Sequence, residues 1–71
     1  MSKYLAVIET TSTGFAAHFP DIPGCIATGQ TREEVVHRLT EGVALHVAGQ
    51  REDGQGIPEA TSTAEWIDVP D

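Results

Sequence analysis

In this 71-residue sequence the side chains best suited to catalysis or metal binding are three histidines, a single cysteine and a scatter of carboxylates. Histidine titrates near neutrality and is the first candidate for proton transfer or ligation. His37 and His46 fall on a predicted helix, where their spacing turns one about 900° from the other and separates them by about 13 Å along the axis. They cannot share a metal within one subunit. His18 lies on a predicted strand, on the face opposite Phe15 and Phe19, and all three histidines read as surface or interface residues. Cys25 has no neighbouring cation to stabilise a thiolate, so it reads as a small apolar side chain at the start of a strand rather than a nucleophile. Glu9, Glu65 and Asp68 could join Asp21 in a metal-carboxylate site only if the fold gathered them on one rigid face, and nothing in their spacing does so. No catalytic residue, metal site or cofactor is expected, and the chain does not read as an enzyme.

Asp21 stands apart because of its setting, Phe19-Pro20-Asp21-Ile22-Pro23-Gly24-Cys25. Each proline fixes its own φ and pushes the preceding residue, Phe19 or Ile22, toward extended geometry, while Gly24 adds the freedom a tight corner needs. In such a corner Asp21 either caps its own turn or is presented to a basic partner.

The elements around the corner follow from periodicity. Tyr4 to Thr10 predicts a first strand, with Tyr4, Ala6 and Ile8 on one face. After a turn at Thr11-Ser12-Thr13-Gly14, Phe15 to Phe19 predicts a second strand, and the short link makes an antiparallel hairpin. Cys25 to Gly29 predicts a third strand. Thr31 and Glu34 have the spacing of a capping box, and Glu33 and Glu34 favour the positive end of the helix dipole. A helix stripe of Val36, Leu39, Val43 and Val47, flanked by Val35 and Ala44, is expected to lie on the sheet. Gly42 would permit close approach to a strand or a second subunit. The helix stops at Gly49 or Gly54, the later being preferred because the intervening residues tolerate helix. A loop anchored by Ile57 then leads to a short fourth strand, Ala64 to Val69, with Trp66 facing opposite to Ile67 and Val69. The predicted class is α+β with order β-β-β-α-β: a three-stranded antiparallel meander, a short fourth strand and one helix packed on the sheet. Residues 1–71 are expected to form a single domain.

Eleven acidic residues against four basic ones give a net charge of −7. Such a surface repels phosphate backbones and favours a basic partner. Lys3, Arg32, Arg38 and Arg51 form no patch, so direct nucleic-acid binding is not expected. There is no membrane-spanning run or signal-peptide core, and the lone cysteine has no intramolecular partner, which together point to the cytoplasm. A chain this small buries only about 60% of the surface its unfolded form exposes, so a homo-oligomer, dimer or tetramer, is expected to add stability.

Three segments in order resemble the N-terminal domain of the HicB family of antitoxins: the Phe19–Cys25 corner, Gly29-Gln30-Thr31-Arg32-Glu33-Glu34-Val35, and Ile57-Pro58-Glu59. The first strand and the Gly14-Phe15 start of the second also fit, so the resemblance covers nearly the whole chain. It implies a partial, non-catalytic ribonuclease-H-like fold that binds and neutralises HicA, a small basic mRNA-cleaving toxin. Family members commonly add a C-terminal DNA-binding domain; the resemblance here ends with the expected fourth strand, and autorepression is not carried over. The alternative is a stand-alone, self-associating regulatory or structural domain without a toxin partner. The family fixes no universal set of contact residues, so the expected partner-binding residues, Asp21, Glu33, Glu34, Glu41 and Glu65, rest on charge and predicted exposure.

Overall fold

The computed structural model describes residues 2–71, with strands β1 (Val7–Thr11), β2 (Gly14–His18) and β3 (Ile26–Gly29) followed by helix α1 (Arg32–Glu52). The strands form one antiparallel meander in the order β1-β2-β3, with Val7 opposite His18 and His18 opposite Ile26. The ladder takes up β1 only at Val7, although Tyr4 and Ile8 both pack against the core as the alternation requires. Ala17, with Phe15 and Phe19 beside it, points toward the helix.

Two consecutive β-turns connect β2 to β3. The Ile22 N–H donates to the Phe19 carbonyl at 3.2 Å, and the Cys25 N–H donates to the Ile22 carbonyl at 3.4 Å. Each turn has proline at its second position, where the fixed φ is already correct. Gly24 takes φ +83° at the third position of the second turn, as a type II turn demands. The Phe19 N–H then donates to the Cys25 carbonyl at 3.4 Å and closes the corner. Ile22 is thereby driven into the core with Ala17, Cys25, Val35 and Leu39, while Pro20, Pro23 and Gly24 stay outside.

Where β2 begins, β3 ends and α1 starts, the backbones come very close. A Cβ on Gly14 would sit 2.3 Å from the Gly29 carbonyl oxygen, and one on Gly29 would sit 2.9 Å from the Val35 nitrogen. Only glycine fits either position. The helix is capped as its sequence predicts at one bond and differently at the other. The Glu34 N–H donates to Thr31 Oγ1 at 3.0 Å, but the Glu34 carboxylate reaches back one residue further and accepts from the Gln30 N–H at 3.0 Å.

The buried helix face is rotated from the expected stripe. Val35 and Leu39 are buried and Val43 packs against them, whereas Val36 is 43% exposed. Positions 35, 39 and 43 repeat every four residues and stay over the sheet; Val36 lies about 100° away from Val35. At the far end, Gly54 with φ +73° is the residue after the cap, the Gly54 N–H donates to the Arg51 carbonyl at 3.1 Å, and the Gln55 N–H donates to the Gln50 carbonyl at 2.8 Å. That pair of bonds is the Schellman motif, which places the stop at the later glycine and leaves Gly49 inside the helix. Gly42 is exposed, and no atom would come within 4 Å of a Cβ there.

The expected fourth strand is not formed. Residues 64–69 take no part in the sheet, and Trp66, Ile67 and Val69 are exposed. A β-prone sequence needs a partner edge to become a strand, and within one chain the segment finds none.

The rotated helix face has a measurable consequence. Leu39→Ala is expected to destabilise the chain by about 2–5 kcal/mol in denaturant titration, whereas Val36→Ala is expected to change stability by less than about 0.5 kcal/mol.

Candidate partner-binding surface

Asp21 turns outward from the corner that sends Ile22 inward, and its carboxylate holds the returning chain. Oδ2 accepts from the backbone N–H of Thr61 at 2.9 Å and of Ser62 at 2.8 Å; Oδ1 accepts from the hydroxyls of Ser62 at 2.7 Å and Thr61 at 3.3 Å. Asp21 therefore caps a distant segment rather than its own turn. The Ser62 amide and hydroxyl, opposed by partial desolvation and helped by Thr61, lower the carboxyl pKa below its ordinary value of 3.8. Ahead of this clamp, the Tyr4 hydroxyl donates to the Pro58 carbonyl at 2.6 Å. Ile57, the only residue between α1 and Thr61 that is half-buried, lines a cavity of about 410 Å³ with Tyr4, Ile22, Val43 and Val47.

The acidic helix residues divide by their neighbours. Glu33 is exposed in the first turn. Glu34 is committed locally: besides the Gln30 amide, its carboxylate meets Arg38 Nη1 at 3.3 Å, and the same nitrogen donates to the Thr28 carbonyl at 3.0 Å. Glu41 pairs with His37 one turn earlier on the exposed surface. Glu34 and Glu41, seven positions apart, share one face of α1. Asp21 belongs to the corner and Glu65 to the C-terminal arm, so the five acidic residues do not form a single cluster on one element.

On the side of the sheet away from the helix, the strand register aligns Val7, His18 and Ile26 in a row, and Ile26 is 71% exposed. This face and the arm expose apolar side chains that counting charges overlooks. Cys25 is buried, and desolvation pushes its thiol pKa up, away from nucleophilic character. His37 is exposed while His46 is half-buried; the His46 Nε2 and Gln50 Oε1 atoms, one turn apart, are buried with no hydrogen-bond partner among the described residues. Among the described residues, no group of three His, Cys, Asp or Glu side chains is placed to hold a metal ion, and Glu9, Glu65, Asp68 and Asp21 do not gather. No described helix is long and apolar enough to cross a membrane.

Residues 4–71 match the model of the HicB_like antitoxin of bacterial toxin-antitoxin systems. The chain belongs to the HicB-like antitoxin family. This is a family of non-catalytic antitoxins, and its fold is the α+β arrangement of a three-stranded antiparallel sheet and one helix described above. The chain is 32% identical over 69 residues to Antitoxin HicB 2 of Photorhabdus laumondii subsp. laumondii, covering 96% of this chain and 50% of that protein. It is 29% identical over 68 residues to an uncharacterized 14.9 kDa protein from the rep-hol intergenic region of Haemophilus phage HP1, covering 96% of this chain and 51% of that one. The chain thus spans about half the length of these two relatives. Among solved structures, a chain of a HicA3 and HicB3 toxin-antitoxin complex superposes with TM-score 0.71 at 30% identity, covering 84% of this chain and 70% of that chain.

The Asp21 clamp sets a pH dependence. A carboxyl whose pKa is lowered by folding contributes stability above its unfolded value, near 3.8, and loses that contribution as pH falls through the folded value. Hydrogen exchange at the Thr61 and Ser62 amides is expected to accelerate as pH falls below about 4, after correction for intrinsic exchange rates. Asp21→Asn is expected to accelerate it at neutral pH. Unchanged protection in Asp21→Asn would show that the clamp does not hold the tail.

Proposed function

We propose that this HicB-like chain binds and neutralises a small basic HicA-type mRNA-cleaving toxin, with residues 1–71 acting as a single domain in the cytoplasm. The observation that carries this reading is the likeness to a chain of the HicA3 and HicB3 complex, with TM-score 0.71 at 30% identity. The net charge of −7 supports it independently. A protein that cleaves RNA must present a surface that tolerates phosphate, and an acidic inhibitor competes for that surface by charge. Operator-DNA binding is not assigned to these residues, whose four cations are scattered and whose overall charge repels a phosphate backbone.

The residues proposed to meet the toxin are Asp21, Glu33, Glu34, Glu41 and Glu65. They would act differently. Glu33 and Glu41 are exposed on α1 and available for direct contact. Asp21 and Glu34 already accept hydrogen bonds within the chain, so they contribute field more than new bonds. A second reading, a self-associating HicB-like domain without a toxin, is favoured by the exposed Trp66, Ile67 and Val69.

An RNA-cleavage assay with a HicA-type toxin encoded beside this chain tests the first reading. Cleavage is expected to fall to background at excess of this chain. The double variant Glu33→Lys/Glu41→Lys is expected to associate at least about 10-fold more slowly at low salt, as loss of electrostatic steering requires. Cleavage that continues undiminished at excess inhibitor would rule the proposal out.

A further inference from the structure

We propose that the Ala64–Val69 arm of one copy adds as a strand to the outer edge of β1 in a second copy, and that the exchange is reciprocal. The arm has the composition of a strand and none of the contacts of one: Trp66 is 101% exposed, Ile67 77% and Val69 76%. It also leaves the body of its own chain. The returning segment meets Tyr4, just ahead of β1, at Pro58, and by Thr61 and Ser62 it is fixed on Asp21, so it has passed the start of β1 before the arm begins. The molecule is correspondingly long, 49 × 26 × 19 Å.

The ladder geometry identifies the receptive edge. The Phe19 N–H faces Cys25, so by the alternation of an antiparallel pair Phe15 and Ala17 also turn their amides toward β3, and Gly14, Ala16 and His18 turn theirs toward β1. Their partners Thr11, Glu9 and Val7 are therefore used inward. Ile8 and Thr10 are left with N–H and C=O groups directed out of the sheet, and among the described residues no other backbone group bonds to them. On β3 the same alternation directs Ile26 and Thr28 outward, but the Thr28 carbonyl is already taken by Arg38. The open edge is β1.

Length and area both fit a second copy. Six extended residues span roughly 20 Å, against roughly 17 Å for the five residues of β1. Trp66 can bury about 200 Å² and Ile67 and Val69 about 100 Å² each, so one arm covers about 400 Å² of apolar side chain and a reciprocal pair about 800 Å². Counting the surface each arm lies against, the pair reaches the roughly 1,600 Å² of a standard stable interface, which a single arm does not. Reciprocal exchange is also the closed, twofold arrangement. Glu65 and Asp68 bring negative charge to a chain already at −7, so salt strengthens this contact. Association with a basic toxin has the opposite salt dependence, and the two can fail separately.

Trp66 is the single tryptophan of the sequence and reports directly on the arm. Light scattering and tryptophan emission of residues 1–71 are measured together across concentration, at low and high salt. The expected result is a doubling of mass accompanied by a shift of emission to shorter wavelength, both at lower concentration in high salt. Thr10→Pro removes an outward N–H that the single chain does not use, a place where an edge strand accepts proline. It is expected to keep the circular dichroism of the fold, the mass of one chain and a hydrated Trp66. Trp66→Ser, at a fully exposed position of the arm, is expected to remain at one chain as well. Three results would overturn the inference: a single chain at every concentration, a dimer that survives both substitutions, or burial of Trp66 only when a basic HicA-type protein is added to a chain that stays monomeric.

Discussion

Pro20 and Pro23 fix their own φ on either side of two residues whose side chains leave in opposite directions, Ile22 into the core and Asp21 out to the returning chain. Everything else depends on that division. Ile22 at 1% exposure is one of the two largest fully buried side chains, the other being Val35. It joins the corner to the helix, since Val35 and Leu39 complete the same cluster. On the outer side, the four hydrogen bonds from Thr61 and Ser62 to Asp21 are what bring the post-helix segment back to the sheet. One turn therefore sets both the packing of the helix and the point from which the arm departs.

A core of this size gives a precise binding surface only if its few contacts are rigid. The two prolines, the Gly14 and Gly29 approach and the capped helix start all restrict the backbone without burying more apolar area. Among the described residues no polar or charged residue is buried as a whole, and the acidic groups lie outside the core. Internal bonds engage Glu34, tied to Arg38 and the Gln30 amide, Asp21, which holds Thr61 and Ser62, and Glu41, paired with His37 at the surface, while Glu33 stays exposed. That distribution suits a protein whose work is to occupy a partner.

Local signals read from the sequence were reliable wherever the cause was local. The Thr31 cap, the Gly54 stop and the three-strand meander each depend on residues within a few positions of one another, and the structure has them. The identity of the buried helix face was not legible, because Val35 and Val36 are equally apolar and only the sheet decides between them. The role of Asp21 was missed for a different reason: its partners lie forty positions away and carry no motif. The fourth strand failed because β-propensity states what a segment can do, not whether an edge is in reach. Charge and predicted exposure alone selected the expected partner-binding residues, so the exposed apolar row of Val7, His18 and Ile26 and the apolar side chains of the arm did not enter that selection.

The proposed toxin contact depends on attraction between the acidic surface of this chain and a basic partner. The most direct measurement is the association rate with a HicA-type toxin across ionic strength. The rate is expected to fall steeply as salt rises and to return toward its low-salt value when the salt is diluted. A rate independent of salt, or one that rises with it, would rule out capture of the toxin by charge.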